Sequence, residues 1–205
     1  IASHPSWGYG IQLRSNSTFV MNGGKIQTTQ ESIDVYDSSS NVAIEINAGE
    51  IIATADSPLN LRGSSNVVAE INGGTLTSGP NGRVAVYVSS YQVNAIQFDI
   101  KGGSIIKEGT SGSAIQAYSG STITISGDAL IKSAGYSAAI QVQGGVSDAA
   151  ATTLNVDGGS ITSDGSHGIS VEDSAKVNIS AGTISGNGRV ASAVYAQENS
   201  TVEII

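Results

Sequence analysis

The segment Ala43-Ile44-Glu45-Ile46-Asn47-Ala48-Gly49-Glu50-Ile51 returns at Val68-Ala69-Glu70-Ile71-Asn72-Gly73-Gly74-Thr75-Leu76. In both copies an alternating apolar and polar run leads into a small-residue step closed by Gly, and a second alternating run begins after it. Alternation with a period of two marks a strand with one buried face. The step between the runs is a bend, and glycine enters the required positive-φ region without a Cβ clash.

The same step recurs along the chain. It reads Asn22-Gly23-Gly24-Lys25-Ile26, Lys101-Gly102-Gly103-Ser104-Ile105, Asp157-Gly158-Gly159-Ser160-Ile161 and Ser180-Ala181-Gly182-Thr183-Ile184. Ser126-Gly127-Asp128-Ala129-Leu130 is a variant in which Asp128 is expected to take the left-handed position. A further short run opens each repeat: Ile11-Gln12-Leu13, Ile33-Asp34-Val35, Leu59-Asn60-Leu61, Val86-Tyr87-Val88, Ile115-Gln116-Ala117, Ile140-Gln141-Val142, Ile169-Ser170-Val171 and Val194-Tyr195-Ala196. The spacings between these openings are 22, 26, 27, 29, 25, 29 and 25 residues.

Self-similarity at such a period is the signature of a solenoid. The expected fold is all-β: a single-stranded right-handed parallel β-helix of about eight rungs, three short strands to a rung. Residues 1–205 form one such domain. Strands stacked one rung apart at about 4.8 Å make a rod of roughly 35 to 40 Å. The long, variable period and the general right-handedness of parallel crossovers favour the right-handed form. No segment holds an apolar pattern of helical period.

Composition narrows the partners. Of 205 residues, 26 are Gly and none is Cys, which removes disulfides and thiolate chemistry. The net charge of −8 leaves no basic patch for nucleic acid or anionic lipid. No apolar run approaches the ~18 residues of a membrane span. The chain starts inside one repeat and stops inside another, so it is read as part of a longer surface protein. Trp7 is expected to cover the first rung. Ile204 and Ile205 are expected to leave the last rung open, with end-to-end self-association as the result.

The repeats Ser192-Ala193-Val194-Tyr195-Ala196-Gln197-Glu198-Asn199-Ser200-Thr201-Val202-Glu203-Ile204 and Gly168-Ile169-Ser170-Val171 running into Asn178-Ile179-Ser180-Ala181-Gly182-Thr183-Ile184 resemble those of bacterial autotransporter passenger domains and adhesins. More widely the chain resembles right-handed β-helices of the pectin-lyase-like superfamily, including β-helical carbohydrate-binding surface proteins. The resemblance implies export, an extracellular place at the bacterial cell surface, and adhesion or glycan contact.

Two outward columns of the first strand are the candidate binding face. They read Gln12, Asp34, Asn60, Tyr87, Gln116, Gln141, Ser170, Tyr195 and Arg14, Tyr36, Arg62, Ser89, Tyr118, Gln143, Glu172, Gln197. Aromatic faces with planar amide and guanidinium donors are what sugars bind. Tyr36, Asn60, Arg62, Tyr87, Gln116, Tyr118 and Gln141 are therefore the expected ligand-binding residues, with a polysaccharide or host-surface glycan as partner. Long connections near Ser89 to Asn94 and Gly144 to Thr152 flank rung five and would make a groove over it. The alternative for these columns is plain ladder stacking of strand-favouring residues.

In the second strand, Glu45, Glu70 and Asp99 fall on successive rungs. Three stacked carboxylates are a candidate Ca²⁺ site, the one cofactor considered, or else a solvated acidic face. No catalytic residue is assigned. His4 and His167 have no partner at ligand spacing. The expected function is a non-enzymatic surface module. A lyase or hydrolase of pectin-lyase-like fold and a passive spacer stalk are the alternatives. An enzyme would need carboxylates and an Arg or Lys together in one groove, which the strand columns do not assemble.

Overall fold

The computed structural model describes residues 8–90, 92, 95–145 and 151–205. The described residues form a parallel β-solenoid of about seven turns, close to the eight rungs expected, and contain no helix.

The first strands stack into one eight-stranded parallel sheet. Its members in order are β1 (Ile11–Leu13), β3 (Ile33–Val35), β5 (Leu59–Arg62), β8 (Val86–Ser89), β11 (Ile115–Tyr118), β14 (Ile140–Gln143), β16 (Ile169–Glu172) and β18 (Val194–Ala196). The second and third strands share an eleven-stranded sheet. In rungs three to five they are separate: β6 (Ser65–Ile71) and β7 (Thr75–Ser78), β9 (Ile96–Ile100) and β10 (Ser104–Lys107), β12 (Ser121–Ile125) and β13 (Leu130–Ser133).

In the other complete rungs the two are one bent strand, a departure from three short strands to a rung. These are β2 (Ser17–Thr28), β4 (Ser40–Ala53), β15 (Thr153–Ser163) and β17 (Lys176–Gly186), with β19 (Thr201–Ile204) in the last. The pairing register shifts at the glycine step, between Met21 and Asn22 and again before Lys25. The step acts there as a bulge that turns the strand while pairing resumes beyond it.

The last residue of each step carries the bend. Gly49 and Gly74 have φ of +102° and +85°, and a Cβ on Gly74 would lie 2.8 Å from the Gly49 carbonyl oxygen one rung below. Both conformation and space demand glycine there. In the variant step Gly127 takes the positive φ of 62°, not Asp128. The expected substitution was unnecessary because a glycine was available one residue earlier.

The inner columns hold the core. Ile46, Ile71, Ile100, Ile125 and Val156 pair in register on successive rungs and are each 1% exposed or less. Asparagine ladders run outside. Asn16, Asn41 and Asn66 all sit at left-handed φ of 51° to 60°, and the Asn41 and Asn66 amides each donate to the side-chain oxygen one rung back, at 3.1 and 2.8 Å. Asn22, Asn47 and Asn72 repeat the arrangement at 2.8 Å per step. At the last rung Ile204 and Ile205 are exposed. Trp7 lies outside the described residues.

Candidate functional site

The first-strand sheet carries the two expected columns in the expected register. Gln12 pairs with Asp34, Asp34 with Asn60, Asn60 with Tyr87, Tyr87 with Gln116 and Gln116 with Gln141. Arg62 pairs with Ser89, Ser89 with Tyr118 and Tyr118 with Gln143. Alternation along each strand puts these side chains on one outward face.

The middle of that face is aromatic and amide. Tyr87 and Tyr118 lie with ring centroids 5.6 Å apart at 45°, and Gln116 Nε2 donates to Gln141 Oε1 at 3.2 Å. Burial, then the neighbouring Tyr87, pushes the Tyr118 hydroxyl above its ordinary pKa. Tyr36 stands apart, 43% exposed, with the Arg14 guanidinium 4.7 Å above its ring. At the far end His167 stacks on Tyr195 at 4.6 Å while its Nδ1 accepts the Ser192 amide.

The N-terminal half of the same face is charged. Asp34 and Asn60 point outward, yet they are 1% and 3% exposed. The side chain that lies over Asp34 is Arg62. Its Nη2 reaches Asp34 Oδ1 at 2.5 Å and Glu31 Oε1 at 3.4 Å, and its Nε lies 3.4 Å from Asp37 Oδ1. Gln12 donates to the other Asp34 oxygen at 3.2 Å. Burial opposes charge on Arg62, but the Asp34 hydrogen bond and charge outweigh it and hold the guanidinium above its usual pKa. At Glu31 the Arg62 charge and a hydrogen bond with Asn60 pull the other way but are outweighed. Burial first, then the Asp34 charge, pushes its carboxyl up to about 7.

Beside this cluster a cleft of about 180 Å³ opens over rungs two to four. It is lined by the acidic Glu31, Asp37 and Asp56, by Arg62 and Arg83, and by Asn60 and Tyr87. Three of the seven expected ligand residues, Asn60, Arg62 and Tyr87, therefore meet in one concavity. Gln116, Tyr118 and Gln141 continue the face beyond it, and Tyr36 does not line it. The expected groove over rung five involves Tyr91 and residues 146–150, which lie outside the described residues.

The strand columns alone do not reveal Glu31, Asp37, Asp56 and Arg83. All four sit in turns, where no period assigns side-chain direction. Lys107 is a different kind of omission. It is fully buried in the inward column between Ser78 and Ser133, and its ammonium donates to the carbonyls of Gly79 and Glu108. Burial pulls its pKa below the usual lysine value.

Glu45, Glu70 and Asp99 do stack on successive rungs. Each carboxylate is already engaged by a protein donor. Lys101 Nζ lies 2.9 Å from Glu70 Oε1, Asn47 donates to Glu45 at 2.9 Å, and Gln97 donates to Asp99 at 2.8 Å. The hydrogen bond from Lys101 is the main cause holding Glu70 below its usual pKa. Among the described residues no group of three or more His, Cys, Asp or Glu side chains is arranged to hold a metal ion. The column does not fit calcium, because the Lys101 ammonium already neutralises its middle carboxylate.

The architecture defines a β-solenoid with a charged lateral cleft continued by an aromatic strip. No family model, curated protein or solved structure matches the chain.

Proposed function

We infer that this chain is a non-enzymatic module of an extracellular bacterial surface protein, holding a polysaccharide or host-surface glycan against its first-strand sheet. The observation that carries the reading is the convergence of Asn60, Arg62 and Tyr87 on one cleft, with the Tyr87–Tyr118 pair and the Gln116–Gln141 amides extending from it. Rings give sugars a stacking surface, and planar polar groups fix their hydroxyls. A glycan array followed by titration calorimetry tests it. Tyr118→Ala and Tyr87→Ala are each expected to weaken the best ligand about tenfold, the scale of one lost aromatic contact. Unchanged affinity in both removes this face from consideration, and an array blank across broad panels supports the passive stalk instead.

One observation favours a second reading, glycoside hydrolysis. Glu31 has its carboxyl held near 7 beside ionisable Asp34, Asp37 and Asp56, with Arg62 and Arg83 in the same cleft. A carboxyl raised by burial with further carboxylates beside it is the kind of group that serves as a glycosidase's acid. A reducing-end assay on the array's best ligand separates the two. Turnover abolished by Glu31→Gln establishes the hydrolase, and its absence leaves the binding module.

A further inference from the structure

The cleft has a charge bias that selects among sugars. Around it Glu31, Asp34, Asp37 and Asp56 stand against Arg62 and Arg83, a formal −2 when all are ionised. The two guanidiniums are not equivalent. Arg62 is held by Asp34, Glu31 and Asp37 at 2.5, 3.4 and 3.4 Å, so its charge is spent within the protein. Arg83 is exposed at the rim. Asp37, which is 62% exposed, Asp56 and Glu31 line the cleft as its acidic residues. Arg62 Nε is also buried without a hydrogen-bond partner, its Asp37 contact being one of charge only. A guest that satisfies this wall brings a positive charge for the carboxylates.

The lining adds shape. Tyr87 offers a ring face, and Asn60, Ser57, Ser89 and Ser90 offer amide and hydroxyl groups. At about 180 Å³ the cleft is below the roughly 300 Å³ at which drug-sized pockets begin, so it admits one ring rather than a chain. Resting on the glycan-binding reading, we propose that the cleft takes a single amino-sugar residue, a hexose ring bearing a free ammonium, and rejects uronate rings. The ammonium lies against Asp37 and Asp56, and the ring hydroxyls meet the amide and hydroxyl groups of Asn60, Ser57, Ser89 and Ser90. A uronate carboxylate there meets like charge in a partly desolvated site, which costs more than the same contact in open water.

Titration calorimetry at mildly acidic pH uses three probes: a fully de-N-acetylated glucosamine tetrasaccharide, its N-acetylated counterpart and a galacturonate tetrasaccharide. The expected order places the amine form at least about tenfold tighter than the acetylated form, with galacturonate not bound. Asp56→Asn and Asp37→Asn are expected to erase that preference while leaving the circular dichroism spectrum unchanged. Arg83→Gln is expected to keep or strengthen amine binding, because it removes a cation that opposes the guest. Galacturonate binding as well as the amine, an amine preference untouched by both Asp variants, or a loss of amine affinity in Arg83→Gln would each overturn the assignment. If none of the three probes binds while the array finds a neutral glycan sensitive to Tyr118→Ala, the amino-sugar assignment fails and the glycan reading survives. A blank array defeats both.

Discussion

Replacing Ile71 by alanine probes the inner column that the whole architecture rests on. Ile71 is 0% exposed and lies between Ile46 and Ile100 in register. The substitution removes about three carbons at about 0.8 kcal/mol each, a transfer loss of about 2.4 kcal/mol. The cavity adds to this, because ladders above and below hold the rungs apart and hinder collapse. The expected cost is therefore in the upper half of the about 2–5 kcal/mol range for buried Ile positions. Val68 on the same strand is the control. It faces outward at 38% exposure, and Val68→Ala is expected to stay within about 0.5 kcal/mol of wild type. Urea unfolding followed by circular dichroism measures both. Ile71→Ala within about 1 kcal/mol of wild type, or Val68→Ala the costlier change, would falsify the side-chain assignment, since a one-residue slip reverses every position.

Four further expectations follow from the charged and exposed groups. Arg62→Ala leaves Asp34 buried without its counter-ion and is expected to destabilise by about 3 kcal/mol, the low end for a broken buried pair because Arg62 is partly exposed; chemical denaturation checks it. Glu31 has its pKa raised from 4.5 to about 7, so the folded state binds more protons than the unfolded one and stability falls as pH rises between those values. Melts across that window are expected to show a shallower fall in Glu31→Gln, and parallel curves would contradict the burial of this carboxyl. Lys107 has its pKa lowered, so the folded state binds fewer protons and stability gains as pH rises toward 10.5; Lys107→Met is expected to remove that gain in alkaline melts. The 205-residue polypeptide, with Ile204 and Ile205 80% and 78% exposed, is expected to associate in sedimentation runs at rising concentration, and a strict monomer would count against it.

The strand columns were legible because a period of two fixes direction and the glycine step fixes register. Asn60 and Tyr87 could be set side by side from the sequence alone for that reason. What the period could not give was cover. Asp34 and Asn60 read as outward and so as wetted, yet both are buried, and Arg62 folds over Asp34 from the next rung. The turn residues Glu31, Asp37, Asp56 and Arg83 carry no period, and turns vary in length from rung to rung, so their meeting in one cleft had no linear signal. Lys107 did leave one. The inward column of the third strand reads Thr28, Ala53, Ser78, Lys107, Ser133 and Ser163, and a lysine among small residues marks a buried cation. Lys101 reaches Glu70 from a position two residues beyond Asp99, off the acidic column, and a column-by-column reading passes over it.

The Arg62 cluster ties rung three to rung two through side chains, in addition to the backbone ladder that joins every pair of rungs. A solenoid pulled from one end peels turn by turn, and each turn resists only through its contacts with the next. Rung two must release Asp34, Glu31 and Asp37 from a single guanidinium before it can lift away. Tension applied from the N-terminal side therefore meets a catch at that seam. The cleft spans that seam, so the part of the rod that would grip a ligand is braced by the same catch.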